Sequence, residues 1–190
     1  KYYIELTEDQ TTFSNNLIDF IEDKDANLFS IILGSKLPSY KDKTFILHDK
    51  KYVYDGNISQ HKHPKQNIVK TAFMYLNSPF LWGGKTPFGI DCSGFTQMVY
   101  KINGYKLFRN VAQQATQGEV LSFIEESEPG DLAFFDDNEG DIIHVGIILA
   151  NNYIIHASGK VRIDRLDQSG IYNNDLKKHT HKLRVIKKLF

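Results

Sequence analysis

The second half of the chain contains a succession of short apolar or alternating segments, and this succession constrains the fold most strongly. Five such segments follow one another between residues 131 and 189: DLAFF, HVGIILA, NYIIHAS, KVRID and HKLRVIKKL. Glycines or Asn-Asn pairs separate them, which is typical of strands joined by tight turns. Two helical patterns precede them. The order predicts an α+β fold in which helices pack on an antiparallel sheet.

The two predicted helices flank a glycine-rich turn, WGGKTPFGI. The first, NIVKTAFMYLN, repeats apolar residues at helical spacing and is ended by Pro79. The second ends at Asn103-Gly104, because glycine favours a helix C-terminus. Asp91 is placed as the N-cap of this second helix, so Cys92 becomes its first helical residue.

The region before these helices differs in pattern. Residues 1–27 are polar and acid-rich, and the spacing of Phe13, Leu17, Phe20 and Ile21 predicts a helix that Thr7 could cap. After Asn27 the segments LFSIILG, TFILHD and KYVYDG predict short strands. The polar stretch SQHKHPKQ predicts a linker. We therefore expect two domains, residues 1–60 and residues 65–190.

Composition excludes several classes of protein. The 190 residues contain 23 Lys+Arg and 23 Asp+Glu, and 41% are hydrophobic. The hydrophobic share is sufficient for a folded core. The equal numbers of positive and negative side chains argue against a nucleic-acid groove or a surface that binds anionic membranes. No apolar run approaches the ~20 residues that a membrane span requires, and no signal peptide opens the chain. Because the chain opens on Lys1, we expect that it has been processed or shortened, and a leader could have been removed.

Cys92 is the single cysteine, so the chain can form neither an internal disulfide nor a thiolate zinc site. A lone cysteine is most often a small buried apolar residue. At a helix start, however, unpaired backbone N–H groups stabilise a thiolate and can hold an oxyanion. Gly94 keeps side chains away from an approaching substrate. This context favours a nucleophile but leaves both interpretations open.

A nucleophilic thiol requires a base, and two histidines are placed to supply one. His144 begins HVGIIL, His156 ends NYIIH, and the Asn151-Asn152 turn joins the two strands as a hairpin. Both histidines then lie near its open end. A base oriented by a further polar group completes an activated nucleophile. A single histidine would be weak evidence for a catalytic base, so the prediction depends on the two histidines together.

The remaining histidines point to no site. His61 and His63 could offer two metal ligands, but their linker position and the absence of a third ligand predict a solvated loop. His179 and His181 are expected at an exposed strand end. His48 has no recognisable partner. The sequence thus predicts no metal site and no cofactor.

Five motifs occur in order: FLWGGKTPFGIDCSGF, RNVAQQ, PGDLAFF, HVGIIL and IIHAS. This ordered set resembles the NlpC/P60 family of cell-wall cysteine peptidases over about residues 65–190. The resemblance implies a papain-like α+β fold and cleavage of peptidoglycan stem peptides, typically between D-γ-glutamyl and a diamino acid such as diaminopimelate. It implies Cys92 as the nucleophile, His144 as the general base and His156 as the third, orienting residue.

The resemblance also implies which residues bind substrate. Asp91, Ser93 and Arg109 match motif positions associated with substrate recognition, and Trp82 matches a position in the wall of the cleft. Arg109 would suit a carboxylate, which stem peptides supply.

Two positions depart from the family pattern. Phe80 stands where many members have a tyrosine two residues before the tryptophan, so the phenol hydroxyl thought to face the nucleophile is missing. Asn110 stands where an aspartate often follows the arginine. Neither departure removes a member of the Cys/His/His triad.

The stretch from about Leu28 to Asn57 resembles the end of the bacterial SH3-like domains that often precede this catalytic domain. In such relatives the SH3-like domain narrows the cleft and favours short peptides with a free N-terminal L-Ala. The resemblance here covers a smaller part of the chain.

The sequence therefore predicts a thiol endopeptidase whose partner is a peptidoglycan stem peptide or muropeptide. Two alternatives stay open: a papain-like amidase that acts at another wall bond, and a wall-binding module whose catalytic half is silent. We expect no nucleic-acid partner, no membrane span and a monomer. The expected location is the cell envelope, with cytoplasmic wall recycling as the alternative.

Overall fold

The computed structural model describes residues 11–189, and the predicted Thr7 cap lies outside them. The chain divides into two compact units. One comprises the residues up to His63 together with Lys101–Tyr105, and the other comprises Pro64–Tyr100 and Lys106–Phe190. Within residues 11–189, no helix is both long and apolar enough to cross a bilayer.

From residue 11 onward, the first unit contains seven short strands in two antiparallel sheets. The strands are β1 (Thr11–Ser14), β2 (Ile18–Glu22), β3 (Leu28–Ile32), β4 (Lys36–Pro38), β5 (Thr44–Leu47), β6 (Lys50–Val53) and β7 (Ile58–Gln60). One sheet has the order β4-β1-β7 and the other has the order β3-β2-β6-β5. A small core of Ile21, Leu37, Phe45 and Tyr54 stabilises this unit.

The helix predicted across Phe13–Ile21 is wrong, because this segment forms β1 and β2. The chain breaks between the two strands at Asn16, whose side-chain amide donates to Asp19. Strand β2 then pairs with β3 over five residues, from Ile18 to Glu22. Apolar spacing over so few residues is a weak signal, and nonlocal strand pairing overrides it.

The second unit contains the remaining α-helices and strands, apart from the last two residues of one helix, Lys101 and Ile102, which fall in the first unit. These helices and strands are α1 (Gln66–Met74), β8 (Lys85–Thr86), β9 (Gly89–Ile90), α2 (Cys92–Ile102), α3 (Val111–Gln114), β10 (Glu119–Leu121), β11 (Leu132–Asp136), β12 (Ile142–Leu149), β13 (Tyr153–Ser158), β14 (Lys160–Asp167), β15 (Gly170–Asn173) and β16 (Lys178–Lys188). Both predicted helices and all five predicted strands of this half are present, whereas β10 and β15 were not foreseen. The architecture is consistent with the expected α+β class.

The large sheet has the strand order β10-β16-β11-β12-β13-β14-β15, and every pairing is antiparallel. Strand β16 is 11 residues long, so its first half pairs with β15 and its second half pairs with β11 and β10. The six strands β11–β16 therefore form a closed cycle of pairing. Helices α1 and α3 pack against β12.

The predicted β12–β13 hairpin is confirmed. Asn151 and Asn152 have φ of 59° and 60°, the left-handed conformation that is common in tight hairpin turns, and with Ala150 they separate the paired residues Leu149 and Tyr153. The resulting register pairs Gly146 with His156. A Cβ on Gly146 would lie 2.9 Å from the His156 Cβ and 2.7 Å from the Ile154 Cδ1. A glycine is therefore needed for β13 to carry His156 at this position.

Candidate active site

Cys92 is the first residue of α2, as predicted, and it is buried. The Asp91 Oδ1 atom accepts a 2.6 Å hydrogen bond from the Gly94 N–H, which is the expected N-cap contact. The β8–β9 hairpin leads directly into this cap. A Cβ on Gly94 would lie 2.3 Å from the Gly84 carbonyl oxygen, so glycine permits the close approach of the loop to the helix start.

The environment of the Cys92 sulfur has opposing electrostatic effects. Burial raises the pKa of the thiol, and the Asp91 carboxylate raises it further. Hydrogen bonds from the backbone N–H groups of Val145, Ser93 and Cys92 itself lower the pKa in part. The net shift is upward, so the helix start does not by itself produce a thiolate. Contact with the Val145 N–H places the sulfur against the beginning of β12, next to His144.

His144 and His156 meet across the hairpin. The His144 Nε2 atom lies 2.9 Å from the His156 Nδ1 atom, and the two rings are nearly perpendicular. Their side chains are buried, with exposed fractions of 6% and 1%. The structure therefore brings the two histidines into direct contact, with His144 beside the strand position that touches the Cys92 sulfur.

A carboxylate continues this network on the next strand and was not foreseen. The His156 Nε2 atom lies 3.0 Å from the Asp164 Oδ2 atom, and Asp164 is only 2% exposed. Arg162 donates to both Asp164 oxygens, at 2.6 and 2.9 Å, and also to Asp175. The alternation of Arg162 and Asp164 within KVRID was the available signal, because alternate residues of a strand share a face.

The prediction of an exposed strand end is wrong for His181. Its ring stacks on His144 with centroids 4.2 Å apart and planes inclined by 28°. The Thr180 Oγ1 atom lies 2.9 Å from the His181 Nδ1 atom. His179, in contrast, is exposed and lies 2.9 Å from an Asp167 carboxylate oxygen. The bulge between Ile171 and Tyr172 in the β15–β16 pairing shifts the register near these residues, which sequence alternation does not reveal.

Burial keeps the three clustered histidines neutral. It lowers the pKa of His144 well below its usual value, and His156 and His181 add to this effect. Burial also lowers the pKa of His156, although the hydrogen bond from its ring to Asp164 acts in the opposite direction. The pKa of His181 falls to about 4 for the same reason. At neutral pH these rings are therefore uncharged imidazoles.

A second polar network surrounds Asp91 on the helix side. Arg109 donates to both Asp91 oxygens, at 3.0 and 2.6 Å, and to Ser93 Oγ at 2.8 Å. Burial by itself raises the pKa of the Asp91 carboxyl. The hydrogen bonds from Arg109 and from the Gly94 and Gly83 N–H groups outweigh burial and hold the pKa below its usual value. Arg109 thus forms a bidentate ion pair with Asp91.

The loop before Cys92 presents exposed aromatic side chains. Trp82 is 86% exposed and Phe80 is 37% exposed. The Phe80 N–H donates to the Gly159 carbonyl at 3.0 Å, and the Gly83 N–H donates to Asp91 at 2.8 Å. These bonds anchor the loop on both sides of Trp82. The Trp82 ring is therefore open to solvent on the loop that leads to Cys92.

The next question is whether side chains near Cys92 could bind a metal ion. Among residues 11–189, no three His, Cys, Asp or Glu side chains are grouped so that they could hold a metal ion. The chemistry that the site can perform is that of a buried thiol beside a neutral imidazole.

Comparison with known proteins identifies the class. The model of the NlpC/P60 family matches residues 77–184, which is more than half of the chain. The chain therefore belongs to the NlpC/P60 family. The matched segment includes Cys92 and all three clustered histidines.

Two individual relatives within this family are similar in sequence to the chain. The chain is 36% identical over 102 residues to a Gamma-D-glutamyl-L-lysine dipeptidyl-peptidase of Bacillus subtilis (strain 168), and this match covers 53% of the chain. It is also 36% identical over 118 residues to Dipeptidyl-peptidase 6 of Lysinibacillus sphaericus, covering 59% of the chain. These matches span only 34% and 41% of the two relatives.

A solved structure shares the fold. The crystal structure of an NlpC/P60 family protein from Bacillus cereus ATCC 10987 superimposes with a TM-score of 0.77 and 20% identity. The alignment covers 94% of this chain and 63% of that one. Most of the first unit therefore has a counterpart in that structure.

Proposed function

We propose that this protein is a cysteine endopeptidase that hydrolyses peptidoglycan stem peptides or muropeptides at the D-γ-glutamyl–diamino acid bond. The observation that carries the proposal is the placement of Cys92 at a helix start, against the strand that bears His144. The name of the Bacillus subtilis relative, which specifies a γ-D-glutamyl-L-lysine substrate, supports the choice of bond.

The proposed reaction starts from a neutral thiol and a neutral imidazole. His144 takes the thiol proton as the Cys92 sulfur attacks the γ-glutamyl carbonyl carbon. The backbone N–H groups at the start of α2 hold the resulting oxyanion. His144 then gives its proton to the leaving amine of the diamino acid, and an acyl-enzyme remains. Water, deprotonated by His144, hydrolyses the thioester and restores the thiol.

His156 orients the base in this scheme. Its contact with His144 Nε2 leaves the Nδ1 atom of His144 for the thiol. The arrangement of a nucleophile at a helix start and a base on a sheet supports a papain-like catalytic domain over residues 65–190.

The substrate-binding roles follow from the helix side of the site. We assign the cleft wall to Trp82, whose exposed ring offers an apolar contact surface. We assign substrate recognition to Asp91, Ser93 and Arg109 as one hydrogen-bonded unit, in which Arg109 also holds Asp91 in place. The Arg109 side chain remains 37% exposed, so it can still meet a substrate carboxylate.

The wider organisation is part of the proposal. We assign residues 1–60 to an SH3-like domain, which the two small antiparallel sheets support. We place the protein in the cell envelope, where its substrate is found, and expect a monomer. Release of peptides from the wall requires no cofactor in this scheme.

The test is turnover of defined muropeptides by wild-type protein, Cys92→Ala and Cys92→Ser. Tripeptide, tetrapeptide and pentapeptide muropeptides, with and without the N-terminal L-Ala, are incubated and analysed by mass spectrometry. We expect wild-type protein to release L-Ala-D-Glu and both variants to release none, because serine lacks thiol nucleophilicity. Thermal melting checks that both variants are folded.

Three outcomes would contradict the proposal. Unchanged turnover by Cys92→Ala would exclude a thiol mechanism. Products cut at another bond would indicate an amidase. Binding of wild-type protein to cell-wall sacculi without any product would indicate a silent wall-binding module.

A further inference from the structure

We propose that Asp164 is a positioning residue that selects the ring tautomers of both buried histidines and so leaves a lone pair on His144 Nδ1. The inference rests on the proposed function for its catalytic meaning. The tautomers themselves can be measured whether or not the protein is a peptidase.

The argument begins with the charge on Asp164. Burial raises the pKa of this carboxyl, but the hydrogen bonds from His156 and Arg162 outweigh burial and hold the pKa below its usual value. Arg162 contacts both carboxylate oxygens at 2.6 and 2.9 Å. Asp164 is therefore ionised, and an ionised carboxylate can only accept hydrogen bonds.

The second step fixes the tautomer of His156. Its Nε2 atom lies 3.0 Å from Asp164 Oδ2, so Nε2 carries the hydrogen and donates it. A neutral imidazole carries a single N–H. The Nδ1 atom of His156 is consequently a bare acceptor.

In the third step, the tautomer of His156 determines the tautomer of His144. Its Nε2 atom lies 2.9 Å from the bare His156 Nδ1 atom, so His144 Nε2 carries the hydrogen. The neutral His144 ring then has an unprotonated Nδ1 atom. That nitrogen is the one left over for the Cys92 thiol, and only an unprotonated nitrogen can accept the thiol proton.

The sheet topology explains how one carboxylate controls two rings. His144, His156 and Asp164 lie on three consecutive neighbouring strands, β12, β13 and β14. All three side chains are at most 6% exposed, so water does not compete for their hydrogen bonds. When His144 takes up a proton, the positive charge is linked through His156 to the Asp164 carboxylate, which stabilises it.

The experiment combines ring nitrogen NMR with kinetics. In wild-type protein labelled with ¹⁵N-histidine, we expect His144 and His156 both to carry hydrogen on Nε2 at pH 7. The Asp164→Asn side chain can donate to His156 Nε2 and so reverse its tautomer. We expect altered ring nitrogen shifts in this variant. We expect kcat to fall by about 10²-fold or more with KM within about twofold, as loss of tautomer control costs about 10⁴ in a serine-protease triad.

Two further variants separate positioning from simple structural support. Asp164→Glu retains a carboxylate and should restore the wild-type tautomers and part of kcat. Asp175→Asn removes the exposed second partner of Arg162 and should leave both tautomers and kcat unchanged.

The proposal is overturned if wild-type His144 carries its hydrogen on Nδ1. It is also overturned if Asp164→Asn keeps the wild-type tautomers and kcat. The wild-type spectrum decides the matter even if Asp164→Asn does not fold. If wild-type protein shows the expected tautomers but cleaves no muropeptide, the proposed function fails while the assignment of Asp164 stands.

Discussion

The two sides of Cys92 are built with different chemistry. On the strand side, the buried neutral rings of His144 and His156 are hydrogen-bonded in series to the Asp164 carboxylate. Each of these three residues is at most 6% exposed. On the helix side, Asp91 and Arg109 form an ion pair in which the Arg109 side chain is 37% exposed to solvent. In the proposed mechanism, the first network determines which nitrogen of His144 carries the proton, whereas the second holds the loop before Cys92 in place.

This difference predicts different responses to mutation. Removing a hydrogen-bonding group from the strand side should change the reaction and its pH dependence. Removing one from the helix side should first weaken the fold, because Asp91 caps α2 and also fixes the loop through the Gly83 N–H. Three further variants test this distinction.

The largest effect is expected on the helix side from Asp91→Ala. Loss of the N-cap costs about 1 kcal/mol, and loss of the Arg109 and Gly83 contacts brings the total to about 2 kcal/mol. The melting temperature should fall by about 4–8 °C, measured by differential scanning fluorimetry. Asp91→Asn retains an efficient cap and should recover part of the loss.

Glu128→Ala is the matched control for the ion pair. Glu128 contacts Lys65 at 3.0 Å but is exposed, and solvent-exposed pairs contribute little to stability. Its melting temperature should equal that of the wild type. A fall in Asp91→Ala no larger than in this control would contradict the structural role assigned to Asp91.

A smaller effect is expected on the strand side from His181→Ala. The proposed mechanism requires a neutral His144, and burial lowers the pKa of His144, so that the ring stays neutral to a pH below its usual 6.5. Activity of the wild-type protein should therefore be lost only at a pH below 6.5. The rings packed against His144 are Phe135 from β11, His156 from β13 and His181 from β16, and the two histidines are the titratable groups among them. Because His181→Ala admits water to the ring, the acid limb of kcat/KM should move to higher pH.

His181→Phe is the control for this shift. A phenyl ring preserves the stacked contact and the burial of His144, which is the largest cause of its lowered pKa, and removes only the smaller contribution of the His181 ring. The acid limb should therefore move less than in His181→Ala. Identical pH profiles for His181→Ala and wild-type protein would show that stacking does not control the pKa of His144.

The smallest effect is expected from Phe80→Tyr at the rim of the site. The backbone contact of Phe80 with Gly159 is unaffected by the substitution, so the melting temperature should not change. The added hydroxyl supplies one hydrogen bond near the nucleophile, and kcat should rise by less than about tenfold. Phe88→Tyr, on the exposed β8–β9 turn, should leave kcat unchanged. A fall in kcat for Phe80→Tyr would contradict this role for the hydroxyl.

Local sequence patterns predicted the helix side of the site well. The Asp91 cap and the position of Cys92 depend on neighbouring residues, and the structure has both. The placement of both histidines in one hairpin was predicted, because the Asn151-Asn152 turn joins two adjacent strands.

The contacts that depend on pairing between strands other than the predicted hairpin were not predicted from the sequence. Asp164 reaches His156 only because β14 lies beside β13, and His181 reaches His144 only because β16 pairs with β11 and curves round to β15. The same cause explains the wrong helix across Phe13–Ile21, where pairing of β2 with β3 decides the outcome. Periodicity in a short segment contains no information about such partners.

The closed cycle of strands has a consequence for protein synthesis. Strand β16 supplies His181 and joins β11 to β15, so a nascent chain that has been translated only to about residue 175 has two open sheet edges and an unshielded His144. Contacts of such high sequence separation form late in folding. The histidine cluster can therefore be completed only after Lys178–Lys188 has been synthesised and has paired with β11 and β15.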